Sequence, residues 1–274
     1  MLGNLNETVS WLRPQIHKET KAGIILGTGL GALADRITEK KEIPYEEIPH
    51  FPVSTVEGHS GKLIIGKLGE KPVIALKGRL HFYEGYDMKQ VTYPVRVMQL
   101  LGIEYLFVSN AAGGMNGSFK VGDIMLIEDH INLFPEHPLR GKNESELGTR
   151  FPDMSEAYDS GLRKLAAEIA EKNKIKLQFG IYVGTQGPTF ETPAEYHYFK
   201  IIGGDAVGMS TVPEVIVARH GGMKVLAFSV ITDLGVYGKI AKVSHEEVLE
   251  AAEAAQPKLA FIIEEVIKNL PAKD

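Results

Sequence analysis

Ala22-Gly-Ile-Ile-Leu26 runs straight into Gly27-Thr28-Gly29-Leu30-Gly31. A short apolar run that breaks into glycines is the pattern of a strand delivering a loop. Before it, Leu5, Val9, Leu12 and Ile16 recur at steps of four, three and four, which predicts an amphipathic helix. After it, apolar, β-branched runs occupy 63–66, 72–76, 105–109, 124–127, 179–183, 205–208 and 225–231. Helical patterns lie between them at 88–101, 161–172, 193–202 and 212–221. A last helix sets Val248, Ala252, Ala255, Leu259, Ile262 and Val266 on one face. Strands alternating with helices predict an α/β domain around a mixed or mostly parallel sheet. Without repeats or low-complexity tracts, residues 1–274 read as one domain. The most loop-like region is 130–154, and a loop of that length serves a function or an interface.

Composition narrows the function. The 30 Lys+Arg against 35 Asp+Glu leave a net charge of −5, with no basic cluster of the kind nucleic acid needs. The absence of cysteine excludes disulfides, thiolate metal sites and cysteine nucleophiles. The histidines show neither H-E-x-x-H nor tight ligand spacing, so no catalytic metal is expected. The first twenty residues hold no apolar signal core and no run is long enough to span a bilayer, so a soluble, cytoplasmic protein without membrane partners is expected.

The polar and glycine-rich segments fall at the C-terminal ends of the apolar runs, where open α/β sheets hold ligands. Thr192-Pro-Ala-Glu195, Thr211-Val-Pro-Glu214 and Ser244-His-Glu-Glu247 each place a hydroxyl three residues before a glutamate, the spacing of a capping box. Glu191, Ser210 and His245 are thereby set beside helix N-termini, which suit anions. The 27–31 loop fits either a phosphate cradle with Thr28 as an added donor or a plain tight turn. Read through Ala32 as a dinucleotide fingerprint, it lacks the required second strand, because 43–52 holds three prolines and no strand before its acids. In Gly78-Arg79-Leu80-His81-Phe82-Tyr83-Glu84-Gly85-Tyr86, Arg79, His81 and Tyr83 alternate as on one side of an extended segment. Arg79 and His81 fit an oxyanion site, with His59 as a further candidate; a solvated arginine and a capping histidine fit the spacing too.

In order along the chain, these segments, with Asn110-Ala-Ala-Gly-Gly114, Arg150-Phe-Pro-Asp-Met-Ser155, Gly187-Pro-Thr-Phe-Glu-Thr192 and Val207-Gly-Met-Ser-Thr-Val-Pro-Glu214, resemble the purine nucleoside phosphorylases of the trimeric, low-molecular-mass type. The resemblance implies a single-domain, three-layer αβα sandwich with a mixed central sheet. It implies reversible phosphorolysis of purine nucleosides, with inorganic phosphate as co-substrate and no organic cofactor or metal. By the same resemblance Thr28, Arg79, His81, Ser210, Ala111 and His59 hold phosphate, while Tyr83, Met209 and His245 contact the ribose. Phe190 and Glu191 meet the base, and Phe151 reaches the neighbouring site of a homotrimer. His81, Glu191 and Asp233 are the catalytic candidates.

One position departs from the pattern. Relatives acting on inosine and guanosine usually carry Asn then Lys after Ser-x-Ile-Thr, whereas Ser229-Val-Ile-Thr232 here runs into Asp233-Leu234. An ionised Asp233 can only accept and suits a 6-amino group; a protonated one can donate to N7. Glu191 favours the N1–H of 6-oxopurines. Together they favour inosine and guanosine, with an adenosine-preferring enzyme or a methylthioadenosine phosphorylase as alternatives, and an NAD-dependent oxidoreductase outside the family.

Overall fold

A computed structural model describes residues 1–27, 31–53, 61–236, 240 and 244–271. Nine strands and eight α-helices follow one another among them as α1 (Leu2–Leu12), β1 (Ala22–Leu26), α2 (Ala32–Asp35), β2 (Thr38–Pro44), β3 (Lys62–Leu68), β4 (Lys71–Lys77), α3 (Met88–Val91), α4 (Tyr93–Leu101), β5 (Tyr105–Gly114), β6 (Ile124–Asn132), α5 (Ser160–Lys172), β7 (Leu177–Gly184), α6 (Pro193–Ile201), β8 (Ala206–Gly208), α7 (Val212–His220), β9 (Lys224–Leu234) and α8 (His245–Lys268).

The sheet is mixed, in the order β2-β3-β4-β1-β5-β8-β7-β6-β9, and β5 also pairs with β9. That extra pairing joins β5, β8, β7, β6 and β9 into a closed circuit, with β1 to β4 as an open wing. β1 lies parallel between β4 and β5, and β9 runs parallel to β5. The pleat sorts apolar side chains onto two faces. Ile25, Ile74, Leu106 and Val108 join the core packed under α1, α4 and α7. Ile24, Val73, Ala75 and Phe107, one residue out of phase, join the core under α2, α5 and α8. Helices therefore cover both faces, as expected, and closure at one end is the added feature.

Three expectations need correction. A strand does precede the acids at 46 and 47: β2 forms, but as an antiparallel edge strand on β3, separated from β1 by β3 and β4. Its Lys and Glu side chains are exposed, so the strand carries no apolar run. A dinucleotide fold needs that strand parallel and beside β1, so the exclusion stands on topology instead. The helix over 88–101 breaks at Thr92, because Pro94 has no N–H to continue the ladder and Thr92 Oγ1 caps Met88 O at 2.7 Å. The run at 105–109 extends as β5 through Gly114, so the strand takes in Asn110–Gly114.

Candidate active site

The C-terminal ends of β5, β8 and β9, and the segments following β4 and β7, converge on a cavity of about 350 Å³. Its lining includes Arg79, His81, Tyr83, Ala111, Phe190, Glu191, Met209, Ser210, Asp233 and His245, which the sequence singles out from scattered positions. Thr28 and His59 lie outside the described residues. Phe151 does not line this cavity; it is 86% exposed at the surface.

At one end lies a buried cation. Arg79, directly after β4, is 4% exposed, which rules out the solvated alternative. Its Nε donates to Glu214 Oε1 at 2.7 Å, and Nη1 donates to Ser109 O and Ser210 Oγ, each at 3.1 Å. Nη2 is buried with no hydrogen-bond partner among the described residues. A buried donor without a partner is expensive, and one on a guanidinium asks for an anion. Glu214 thus serves Arg79 and does not close the capping box expected at 211–214; Thr211 makes no side-chain cap. Thr211 instead adopts φ 70°, ψ −54°, the centre of a γ-turn in which Val212 N donates to Ser210 O at 2.7 Å. Asn110 Nδ2 donates to Thr211 Oγ1 at 2.8 Å and braces this strained turn, which turns Ser210 towards Arg79.

His81 begins a 3-10 turn over Phe82–Glu84, so the extended alternation expected through Tyr83 ends at His81. The turn stacks the His81 and Tyr83 rings, centroids 4.6 Å apart. Glu84 Oε1 lies 3.0 Å from His81 Nδ1 and also accepts the His81 N–H at 2.7 Å, fixing the ring's orientation.

The opposite end is acidic. Burial, reinforced by the charges of Asp233 and Glu195, pushes Glu191 up to about 7. Burial also raises Asp233, opposed by hydrogen bonds from Tyr196 and Thr232. Tyr196 Oη donates to Asp233 Oδ2 at 3.0 Å, and Thr232 Oγ1 donates to Oδ1 at 3.1 Å. The capping boxes at Thr192–Glu195 and Ser244–Glu247 both form, which fixes the starts of α6 and α8 beside Glu191 and His245.

Sequence reasoning missed Tyr196, Thr232, Asn110 and Glu214. Tyr196 reads as one aromatic of an amphipathic helix, and only the fold brings α6 against the end of β9. No motif spacing carries that information. Among the described residues no group of three His, Asp or Glu side chains is placed to hold a metal ion. No helix among them is long and apolar enough to cross a membrane.

A pocket with an anion-seeking guanidinium at one end and a buried and a half-buried carboxylate beside an aromatic at the other can take phosphate and a nucleobase together. A family model described as Phosphorylase superfamily matches residues 21–268. The chain is 48% identical over 266 residues to purine nucleoside phosphorylase 1 of Geobacillus stearothermophilus, covering 97% of each protein. Solved structures of the Schistosoma mansoni purine nucleoside phosphorylase, one in complex with adenosine and one with inosine, each superpose with a TM-score of 0.94 at 43% identity, covering 99% of this chain and 98% of theirs. With its own geometry in agreement, the chain belongs to the purine nucleoside phosphorylases, enzymes of the pentosyltransferase class.

Proposed function

We propose that this cavity holds inorganic phosphate and a purine nucleoside together, and that 6-oxopurine nucleosides, inosine and guanosine, are its preferred substrates. The observation that carries the reading is buried Arg79, whose Nη2 has no partner among the described residues and so gives an anion a place at the end of the cavity away from the carboxylates. Arg79, His81, Ser210 and the backbone at Ala111 hold the phosphate, joined by Thr28 and His59. Tyr83 and Met209 flank the ribose, and His245 meets its 5′-hydroxyl. Phe190 packs on the base while Glu191 and Asp233 meet its edge. The unit is residues 1–274 as one domain, cytoplasmic, needing no cofactor beyond phosphate as co-substrate.

In the reaction a phosphate oxygen forms a bond to C1′ as the C1′–N9 bond breaks and its electron pair leaves with the purine. The oxocarbenium-like sugar is stabilised by the phosphate charge beneath it, so positioning and electrostatics do most of the work. The purine leaves well only with a hydrogen bond or proton at N7. A protonated Asp233 supplies it, while an ionised Glu191 accepts from N1–H. Two neighbouring carboxylates, both raised by burial, fit this division of one proton between them.

A specific observation supports adenosine as a second substrate. Both oxygens of Asp233 accept hydrogen bonds, from Tyr196 and Thr232, an arrangement that suits an ionised carboxylate facing a 6-amino group. The proton then sits on Glu191 and is donated to N1 of adenine.

The exposure of Phe151 at 86%, with the Arg150 guanidinium 5.7 Å from its ring, supports a homotrimer in which Phe151 completes the neighbour's nucleoside site. Base release from inosine, guanosine and adenosine, each with and without phosphate, tests the reading. Phosphate-dependent release led by inosine or guanosine is expected. A lead for adenosine overturns the base preference alone, and release without phosphate overturns the anion site.

A further inference from the structure

Behind the segment that carries Phe151 lies a buried charge that phosphorolysis does not use. Arg96 of α4 is 6% exposed, and among the described residues no carboxylate pairs with it. Nη1 donates to Gln99 Oε1 at 2.9 Å and to Leu147 O at 3.2 Å, and Nη2 lies 2.8 Å from His220 Nδ1 at the end of α7. A guanidinium can only donate, so Nδ1 is the acceptor and the ring proton sits on Nε2. Nε2 in turn donates to Thr149 O at 2.8 Å. Gln99 Nε2 adds a second bond to Leu147 O at 2.9 Å.

The carbonyls on either side of Gly148 are therefore both held by side chains from α4 and α7. Gly148 has φ +141°, and a Cβ there would collide with His220 O, so only glycine fits. Phe151 leaves the surface two residues beyond Thr149. Arg150 between them bonds away from the cluster, to Leu139 O and Gly141 O.

We infer that Arg96 and the neutral imidazole of His220 are positioning residues, a clasp that fixes the 147–151 segment and so sets how Phe151 enters the neighbouring subunit's nucleoside site. This rests on the reading of Phe151 given above. The clasp needs a neutral ring, since protonation at Nδ1 turns the acceptor into a donor and sets two cations against each other. Arg96 is the only charge facing His220 among the described residues. On its own helix Arg219 turns to Met223 O at 3.1 Å, and Glu214 is committed to Arg79. Burial and the Arg96 charge both push His220 below its ordinary value. The neutral contact is therefore complete above the ordinary histidine range and is lost as pH falls through it and below.

The test is steady-state phosphorolysis of inosine at saturating phosphate, from about pH 5 to about pH 8, for the wild type and for H220A, H220Q, R96M and F151A. At neutral pH, H220A and R96M should raise the nucleoside KM about tenfold with kcat within about twofold, the split expected when binding and not chemistry is disturbed. Wild-type KM should climb on the acid side. H220Q, whose amide can accept from Arg96 and donate to Thr149 O at any pH, should keep the wild-type KM at neutral pH and show a clearly smaller acid climb, the remainder being the climb that Glu191 brings as it takes up its proton. H220Q reproducing the wild-type acid climb overturns the clasp even if H220A and R96M fail to fold. An F151A enzyme with raised KM beside wild-type behaviour in the His220 variants overturns the clasp but leaves the partner-site reading standing. An F151A enzyme with unchanged KM overturns the partner-site reading and the clasp with it.

Discussion

Both oxygens of Asp233 already take a donor, Tyr196 at 3.0 Å and Thr232 at 3.1 Å, while burial among Gly113, Tyr196 and the end of β9 works to keep the group protonated. The two influences oppose each other at a single side chain, and Glu191, raised to about 7, sits on the other half of the same balance. Below that value the pair retains a proton that either carboxylate can present; above it both tend towards acceptors. An amide at 233 removes the choice, since it offers N–H to N7 at every pH and meets O6 without repulsion. Asp233→Asn should therefore raise the inosine-to-adenosine ratio of kcat/KM by about tenfold or more, the usual scale for a hydrogen-bonding site that matches one base and leaves the other unpaired. The dependence of the ratio on pH that remains should follow Glu191 alone. Parallel kinetics on the two nucleosides at several pH values check this, and an unmoved ratio would remove Asp233 from the base.

Helix α8 connects local sequence to the site. Ser244 Oγ accepts the Glu247 N–H at 3.2 Å, while the Glu247 carboxylate accepts the Ser244 N–H at 2.9 Å, and His245 is the first residue of the helix they cap. Ser244→Ala should lower stability by about 1 kcal/mol, the usual loss for an N-cap hydroxyl. Because the loosened turn carries His245, KM for a ribonucleoside should rise more than KM for its 5′-deoxy analogue. Thermal unfolding together with the two KM values measures both effects. Such elements were legible in the sequence because they rest on neighbours along the chain: the capping boxes at 192 and 244, the glycine break after β1 and the buried face of α8. Others depend on partners far away. The Thr211–Glu214 spacing matches the two working boxes, yet Glu214 is drawn off by Arg79, a residue 135 positions earlier. β2 escaped notice because an edge strand with one solvent face need not be apolar. Tyr196 and Asn110 gained their roles only when α6 met β9 and α7 met β5. Local pattern located the ends of strands where ligands sit; which polar side chains stand behind the first layer is a property of the packed molecule.

At the scale of the whole molecule, the cavity and Phe151 belong to different parts of the surface. The nineteen residues that line the cavity do not include Phe151, which is 86% exposed. A ring of subunits resolves this if each contributes its cavity to one site and its Phe151 to the next, a head-to-tail arrangement that closes by rotation. Sharing of this kind has a consequence that a self-contained subunit lacks. Arg79→Ala destroys the cavity of its own subunit but leaves its Phe151 intact; Phe151→Ala leaves the cavity intact but deprives the neighbour. When the two variants are unfolded together and refolded, some sites in the mixed rings pair an intact cavity with an intact Phe151. Activity at subsaturating nucleoside should then exceed the mean of the two pure variants by about several-fold, as expected when binding energy lost in one chain is restored by another. Each variant refolded alone supplies the baseline. The excess should appear only after joint refolding, because simple mixing of assembled rings creates no new interfaces. Activity equal to the mean after joint refolding, with mixed rings demonstrated by differently tagged subunits, would mean that every site is built from one chain and that exposed Phe151 serves some other contact.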